Sequence, residues 1–344
     1  MSKSASRLAL VAAKKKARRE CKIREVEQAL CALSPLDVSR EAKGVVKKLL
    51  EIDWLYTNFR DEKDVLFGHL MEQAIPFLPT YRVSKQTTTR YDLAKKRHGR
   101  YPGYADRILH SRSLNRVANA YRSWAVVGSD HLPVSIDFAV WGTTVRVVTY
   151  NCGGKDRALM NFWETLVVPN IGVSYILCLQ ELQRPKSRYS LVPQLVSRLF
   201  DSEVYVRCND RIPVVQPLLS DFSQAIVALT PKGSASTLRV EHVSACRSSN
   251  LLATKGWMHA DIHGAPSEVP IRVYCMHAPF VDEDATRRFF AALEDDLARF
   301  RKRSYGAVPV VVAGDLNSRS VPIGLAYAKN VRRCFATCTP AKPR

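Results

Sequence analysis

Four apolar runs in the second half of the chain each stop at side chains able to handle a phosphate. "VRVVTY" ends at Asn151, "YILCL" at Gln180 and Glu181, "IRVYCM" at His277, and "VPVVVA" at Gly314, Asp315, Leu316 and Asn317. Apolar runs of five or six residues have the length of buried strands. In α/β sheets, chemistry gathers at strand ends, where rigid backbone lets side chains from several strands converge. Carboxylate, amide and imidazole together suit metal-assisted hydrolysis of a phosphate ester, which needs an oxygen ligand for a cation, a group to orient or deprotonate water, and donors for the phosphate oxygens. Each ending alone has an ordinary explanation. A Gln-Glu pair caps helices, Gly, Asp and Asn in a row make Asx-turns, and a lone strand-end histidine is usually structural.

A second constellation lies just upstream. In "SDHLPVSIDFAVWGTTVRVVTYN", residues 129 to 151, two polar segments flank two apolar runs joined by a glycine-containing turn, the pattern of a β-hairpin. A turn centred near Gly142 and Thr143 sets Asn151 opposite Pro133 or Val134, within a residue or two of His131. Residues facing each other across an antiparallel pair lie about 5 Å apart. Strand pairing alone therefore brings His131 and Asn151 within reach of one phosphate, although a hairpin whose polar ends merely meet solvent has the same pattern.

The elements that must hold these groups follow from the rest of the chain. With 344 residues and 46% hydrophobic content, it is long enough for one large α/β domain or two ordinary ones. Residues 45 to 70 carry apolar side chains at three- and four-residue spacing, which predicts a helix. "IPFLPTY" at 75 to 81 ends it, because proline lacks a donor and restricts its predecessor. Nine cysteines without a C-x-x-C pair argue against a disulfide framework or a zinc cluster and fit a reducing compartment. Lys and Arg number 52 against 32 Asp and Glu, and the resulting +20 favours phosphate-bearing partners: nucleic acid, inositol phosphates or an anionic membrane surface. Residues 1 to 24 hold nine basic residues and one acid, and their longest apolar run, Leu8 to Ala13, is six residues, too short for a secretion signal or a membrane span. The expectation is a cytoplasmic protein, with "KKKARR" at 14 to 19 readable as a nuclear or organellar address, a lipid-surface patch or a solvated basic helix.

Two of these stretches resemble signatures of a known family. "VVVAGDLNSR" at 310 to 319 is similar to the first signature of the inositol polyphosphate 5-phosphatases, within the endonuclease/exonuclease/phosphatase superfamily, and keeps Gly314, Asp315, Asn317 and Arg319. "RYPGYADRIL" at 100 to 109 is similar to the second, keeping Arg100, Pro102, an aromatic at Tyr104, Asp106, Arg107, Ile108 and Leu109. "FLPTYR", "RYD" and "KKR" precede it and "SDHLPV" follows it, as in the family. The resemblance covers 45 to 138 and 143 to 320, but the blocks that close the family's domain come first in this chain and those that open it come second. The order resembles that of a circular permutation, with "WGTT" joining the family's usual ends; halves of tandem copies that complete each other between chains, or a degenerate fragment, would give the same order. Departures are Ala313 and Ser318 where the family has aromatics, Ala105 before the signature Asp, and Thr254 in "LLATKGW" where the family has Asn.

The resemblance implies a four-layer α/β/β/α sandwich of the DNase I-like kind, spanning 45 to 320 between a basic tail (1 to 44) and a C-terminal tail (321 to 344), with 45 to 140 as the family's usual closing part and 143 to 320 as its opening part. It implies Mg²⁺ on Glu181, with Asp130 turned toward the metal and Asn151 orienting either Asp315 or the metal shell. It assigns Asp315 to the attacking water, Asn317 and His277 to the phosphate, and Asp106 as the carboxylate partner of a cationic His131. Lys255, Arg82, Lys96 and Arg97 match positions that read ring phosphates. The implied reaction is removal of a phosphate from an inositol polyphosphate or phosphoinositide by a monomeric enzyme. The alternatives are a nuclease of the same superfamily, and an inactive remnant that binds anionic membrane or nucleic acid through its basic tail.

Overall fold

The computed structural model describes residues 25, 29–30, 32–37, 39–50, 70–91, 103–118, 120–183, 191–207, 222–246, 256–264, 268–279 and 283–317. The tail at 1 to 24, Lys96, Arg97, Lys255 and the segment from 318 onward lie outside them. In chain order the first six strands are β1 (Leu70–Glu72), β2 (Asp106–Ser111), β3 (Arg122–Ser123), β4 (Val134–Val140), β5 (Thr143–Asn151) and β6 (Ser174–Gln183). The next six are β7 (Phe200–Arg207), β8 (Phe222–Pro231), β9 (Arg239–Cys246), β10 (Gly256–His263), β11 (Ile271–His277) and β12 (Val310–Asp315). They form two six-stranded sheets, ordered β1-β2-β12-β11-β10-β9 and β3-β4-β5-β6-β8-β7.

Side-chain alternation along the strands builds the layers. Along β5, Val145 and Val147 join one buried cluster while Val148 and Tyr150 join another. Along β11 and β12, Val273, Cys275, Val311 and Ala313 share the cluster of Val145 and Val147, whereas Tyr274, Met276, Val310 and Val312 face the opposite way. The shared cluster lies between the sheets, and two outer clusters lie beneath helices. The four layers are thus helix, sheet, sheet, helix.

Each outer helical layer is the crossover of a βαβ unit. β5 and β6 are parallel and are joined by α2 (Asp156–Phe162), a π turn (Trp163–Val167) and a 3₁₀ turn (Val168–Asn170). β11 and β12 are parallel and are joined by α4 (Glu283–Arg303), which buries Phe289, Phe290, Leu293, Leu297 and Phe300 on its sheet-facing side. Parallel neighbours need such crossovers, and each puts the C-terminal ends of its two strands at the same edge. The short α3 (Gln194–Leu199) leads into β7 and buries Val196 in the outer cluster of the second sheet.

Two sequence expectations shift. Of the helix expected at 45 to 70, the described part is α1 (Arg40–Leu50), which starts earlier; residues 51 to 69 lie outside the described residues, and Leu70 opens β1. Ser39 explains the earlier start: its Oγ accepts the Ala42 N–H at 3.1 Å, a cap that frees the first turn from needing apolar periodicity. In the β4–β5 hairpin, Val140 pairs with Thr143 and Val134 with Thr149, two places along from the expected register. The turn is Trp141-Gly142, both at positive φ (52° and 67°), as a two-residue type I′ turn requires.

Candidate active site

The inner-face alternation continues to the strand ends. Asp106 falls in phase with Ile108 on β2, Asn151 with Val147 on β5, His277 with Cys275 on β11 and Asp315 with Ala313 on β12. All four are buried, at 1%, 1%, 1% and 2% exposure, and converge between the sheets at one edge. Glu181 is out of phase, since its neighbours Leu179 and Leu182 both belong to the outer cluster. A register shift between those two residues, with Glu181 at φ 49°, turns its carboxylate to the inner edge, where Oε1 lies 3.2 Å from His277 Nε2. A bulge re-aims a side chain in this way.

Asp315 is held from three directions. Its Oδ2 accepts the Asn151 Nδ2–H at 2.9 Å and lies 3.6 Å from His277 Nε2, and its Oδ1 accepts the Asn317 N–H at 2.9 Å. Asn151 is fixed in turn, its Oδ1 accepting the Gly153 N–H at 2.9 Å. Gly314 is needed beside it, because a Cβ there would stand 2.2 Å from the Met276 carbonyl oxygen on β11. Asn317 sits at φ 47° and donates one amide hydrogen to the Ala278 carbonyl at 2.6 Å, leaving its second amide hydrogen for a ligand. Backbone strain at Glu181 and Asn317 has the placement expected of a site whose surroundings over-determine it.

Asp106 and His131 form the second arm, their Oδ2 and Nδ1 atoms 2.9 Å apart. Burial alone would push the imidazole pKa down, but the Asp106 carboxylate, helped by Asp315 and Asp130, overrides this and lifts it to about 10. Burial raises the Asp106 carboxyl in its turn and His131 opposes that rise, so the pair holds its proton on the imidazole. Ser129 joins the two arms: its Oγ donates to the Asn151 carbonyl at 2.7 Å and accepts the His131 N–H at 3.2 Å. The neighbourhood of "SDH" and "TYN" that the hairpin implies is thus made by one serine.

Asp130 Oδ1 meets Lys85 Nζ at 3.2 Å. Extended backbone sends adjacent side chains apart, and the lysine occupies the side Asp130 faces. Arg82, at φ 69° and 8% exposure, donates its N–H to the Asp130 carbonyl at the same edge. Sequence reasoning missed Thr80, whose Oγ1 donates to Asp106 Oδ2 at 2.9 Å, and Tyr81, whose ring centroid lies 4.7 Å from that of His131. Both fall in "FLPTYR", where loop backbone offers no periodicity from which to infer direction. Ser129 and Lys85 were missed for the same reason.

Mg²⁺ fits the donor chemistry. Asp106, Asp315 and Glu181 gather at an edge where the imidazoles of His131 and His277 face them and Lys85 meets Asp130. Glu181, with 27% of its side chain exposed, offers the hard oxygen that Mg²⁺ prefers. Among the described residues no group of three His, Cys, Asp or Glu side chains is placed to hold a metal ion.

The endonuclease/exonuclease/phosphatase family 2 matches residues 33–137, the stretch that contains Thr80, Asp106 and His131. Human phosphatidylinositol 3,4,5-trisphosphate 5-phosphatase 1 is 26% identical over 205 residues, covering 53% of this chain, and its mouse counterpart is 26% identical over 212. The match spans 16% of the length of each of these relatives. Among solved structures, truncated TDP2 from Caenorhabditis elegans is 18% identical over 51% of this chain and 64% of its own, with a TM-score of 0.36. The human Nocturnin catalytic domain is 17% identical over 47% of this chain and 56% of its own, with a TM-score of 0.32. By these matches the chain is similar to the endonuclease/exonuclease/phosphatase superfamily, the family model covering residues 33–137.

Proposed function

We propose that the protein is a Mg²⁺-dependent phosphatase that hydrolyses a phosphate monoester of an inositol polyphosphate or phosphoinositide. The observation that carries this reading is the convergence of two hydrogen-bonded pairs, Asp106–His131 and Asn151–Asp315, at one edge between the sheets. The substrate class is supported by the likeness to phosphatidylinositol 3,4,5-trisphosphate 5-phosphatase 1 and by the "RYPGYADRIL" stretch. Asp315 has one oxygen on the Asn317 N–H and the other on Asn151, and from this fixed position it orients the attacking water and takes its proton as the new P–O bond forms. The ester P–O bond breaks on the opposite side, where the departing oxygen takes a proton from solvent, and Asp315 returns its own proton to solvent afterwards. His131, kept cationic by Asp106, stabilises negative charge gathering on the phosphate oxygens, and Asn317 and His277 donate beside it. Glu181 would hold Mg²⁺, which when bound offsets the charge of the phosphate.

The rotated motif order forms part of the same proposal: residues 45 to 320 make one permuted domain whose usual ends are joined at Trp141-Gly142. Inositol phosphates and phosphoinositides assayed with Mg²⁺ and with chelator test the activity. Phosphate release is expected from at least one, lost with chelator and in Asp315→Ala and His131→Ala; undiminished release from either variant refutes the catalytic role of the residue replaced. The net charge of +20 favours a nuclease as the second reading, and nicking of plasmid or abasic DNA without phosphate release from inositol substrates would establish it instead.

A further inference from the structure

We propose that Thr80 is a positioning residue for the Asp106–His131 pair, its hydroxyl fixing the rotation of the carboxylate that meets the imidazole. The proposal rests on the catalytic reading of that pair. Thr80 is fully buried at 0% exposure, and its Oγ1 donates at 2.9 Å to Asp106 Oδ2, the same oxygen that His131 Nδ1 reaches at 2.9 Å. Asp106 Oδ1 is buried and has no hydrogen-bond partner among the described residues. Partial rotation of the carboxylate about its Cβ–Cγ bond would swing the shared oxygen out of line with the imidazole. The hydroxyl removes that freedom, and Thr80 is suited to do so because a β-branched side chain has few rotamers.

The main chain of the same segment makes a separate clamp. The Thr80 carbonyl accepts the Leu132 N–H at 2.9 Å, the Tyr81 N–H donates to the Gly103 carbonyl at 3.1 Å, and Tyr81 bridges both Gly103 and His131. The strap over 80 to 83 thereby holds the Asp106 and His131 segments together through backbone bonds that do not involve the hydroxyl. Replacing the hydroxyl with a methyl of similar shape leaves those bonds in place and removes only the donor to Asp106.

Thr80→Val and Thr80→Ala remove the donor and Thr80→Ser keeps it. The first readout needs no substrate: the downfield proton resonance of the His131 Nδ1–H, identified by its absence in His131→Asn. It is expected to persist in wild type and Thr80→Ser and to shift or vanish in folded Thr80→Val or Thr80→Ala, as judged by an intact melting transition. The second readout is steady-state phosphate release with Mg²⁺. In the hydroxyl-free variants kcat is expected to fall about tenfold or more, with KM within about twofold, and Thr80→Ser is expected to recover most of the loss, as is usual when a residue supporting a catalytic group is changed. An unchanged resonance and kcat in Thr80→Val, or a loss in Thr80→Ser as large as in Thr80→Val, overturns the proposal. If wild type releases phosphate from no ester tested, the phosphatase reading fails while the resonance comparison still decides the role of Thr80.

Discussion

His131 keeps its proton where burial alone would remove it, and two consequences can be measured. With its folded pKa lifted to about 10 from an ordinary value near 6.5, the charged imidazole adds stability that is complete below pH ~6.5 and is lost as pH rises through about 10. Chemical denaturation from pH 6 to 10.5 should therefore show a decline toward the alkaline end that is absent from His131→Asn. The alkaline limb of kcat should likewise lie near pH 10 rather than near 6.5. If Asp315 takes the proton of the attacking water as proposed, Asp315→Ala removes that acceptor and both bonds that orient it, and should lower kcat by about 10²- to 10⁴-fold, the usual contribution of a positioned acid or base. Its melting temperature, measured alongside, should show that the protein is still folded.

At the level of strands and helices, much of the site was legible because alternation carries information to the end of a strand. The phase set by Val147, Cys275 and Ala313 in the inter-sheet core extends by two or four residues to Asn151, His277 and Asp315. Glu181 escaped that logic because a bulge breaks the phase of β6 one or two residues before or after it. Thr80 and Ser129 escaped because extended loops have no period, so hydroxyl direction there is settled only by contacts between distant segments. The hairpin was legible and its register was not, since "WGTT" offers several two-residue turns and positive φ at Trp141 decides among them. Two substitutions test these elements. Gly314→Ala places a methyl against the Met276 carbonyl, and should unfold the protein or leave it insoluble, as circular dichroism and solubility would show. Phe289→Ala, in the cluster beneath α4, should lower unfolding free energy by about 3–5 kcal/mol in urea titrations, the usual cost of truncating a buried aromatic.

For the molecule as a whole, the groups of the site come from both the 45–140 and the 143–317 parts of the chain, and the two parts are bonded to each other within a single copy, Ser129 with the Asn151 carbonyl. Activity should therefore co-elute with monomer in size-exclusion chromatography and stay proportional to protein concentration down to the nanomolar range; loss of specific activity on dilution would point to halves exchanged between copies. The surplus of 52 basic over 32 acidic residues should make KM for a polyphosphorylated substrate rise with salt while kcat holds, since screening weakens long-range attraction more than contacts inside the site. The tight turn at Trp141-Gly142 has a consequence of its own. It is a covalent bridge two residues long between segments already zipped together from Val140–Thr143 to Val134–Thr149. Its main contribution is then to effective concentration, which strand pairing can replace once two fragments meet. Pieces ending at Trp141 and starting at Gly142, produced together in one cell, should reassemble into a working enzyme, making the turn a natural seam for a two-part reporter.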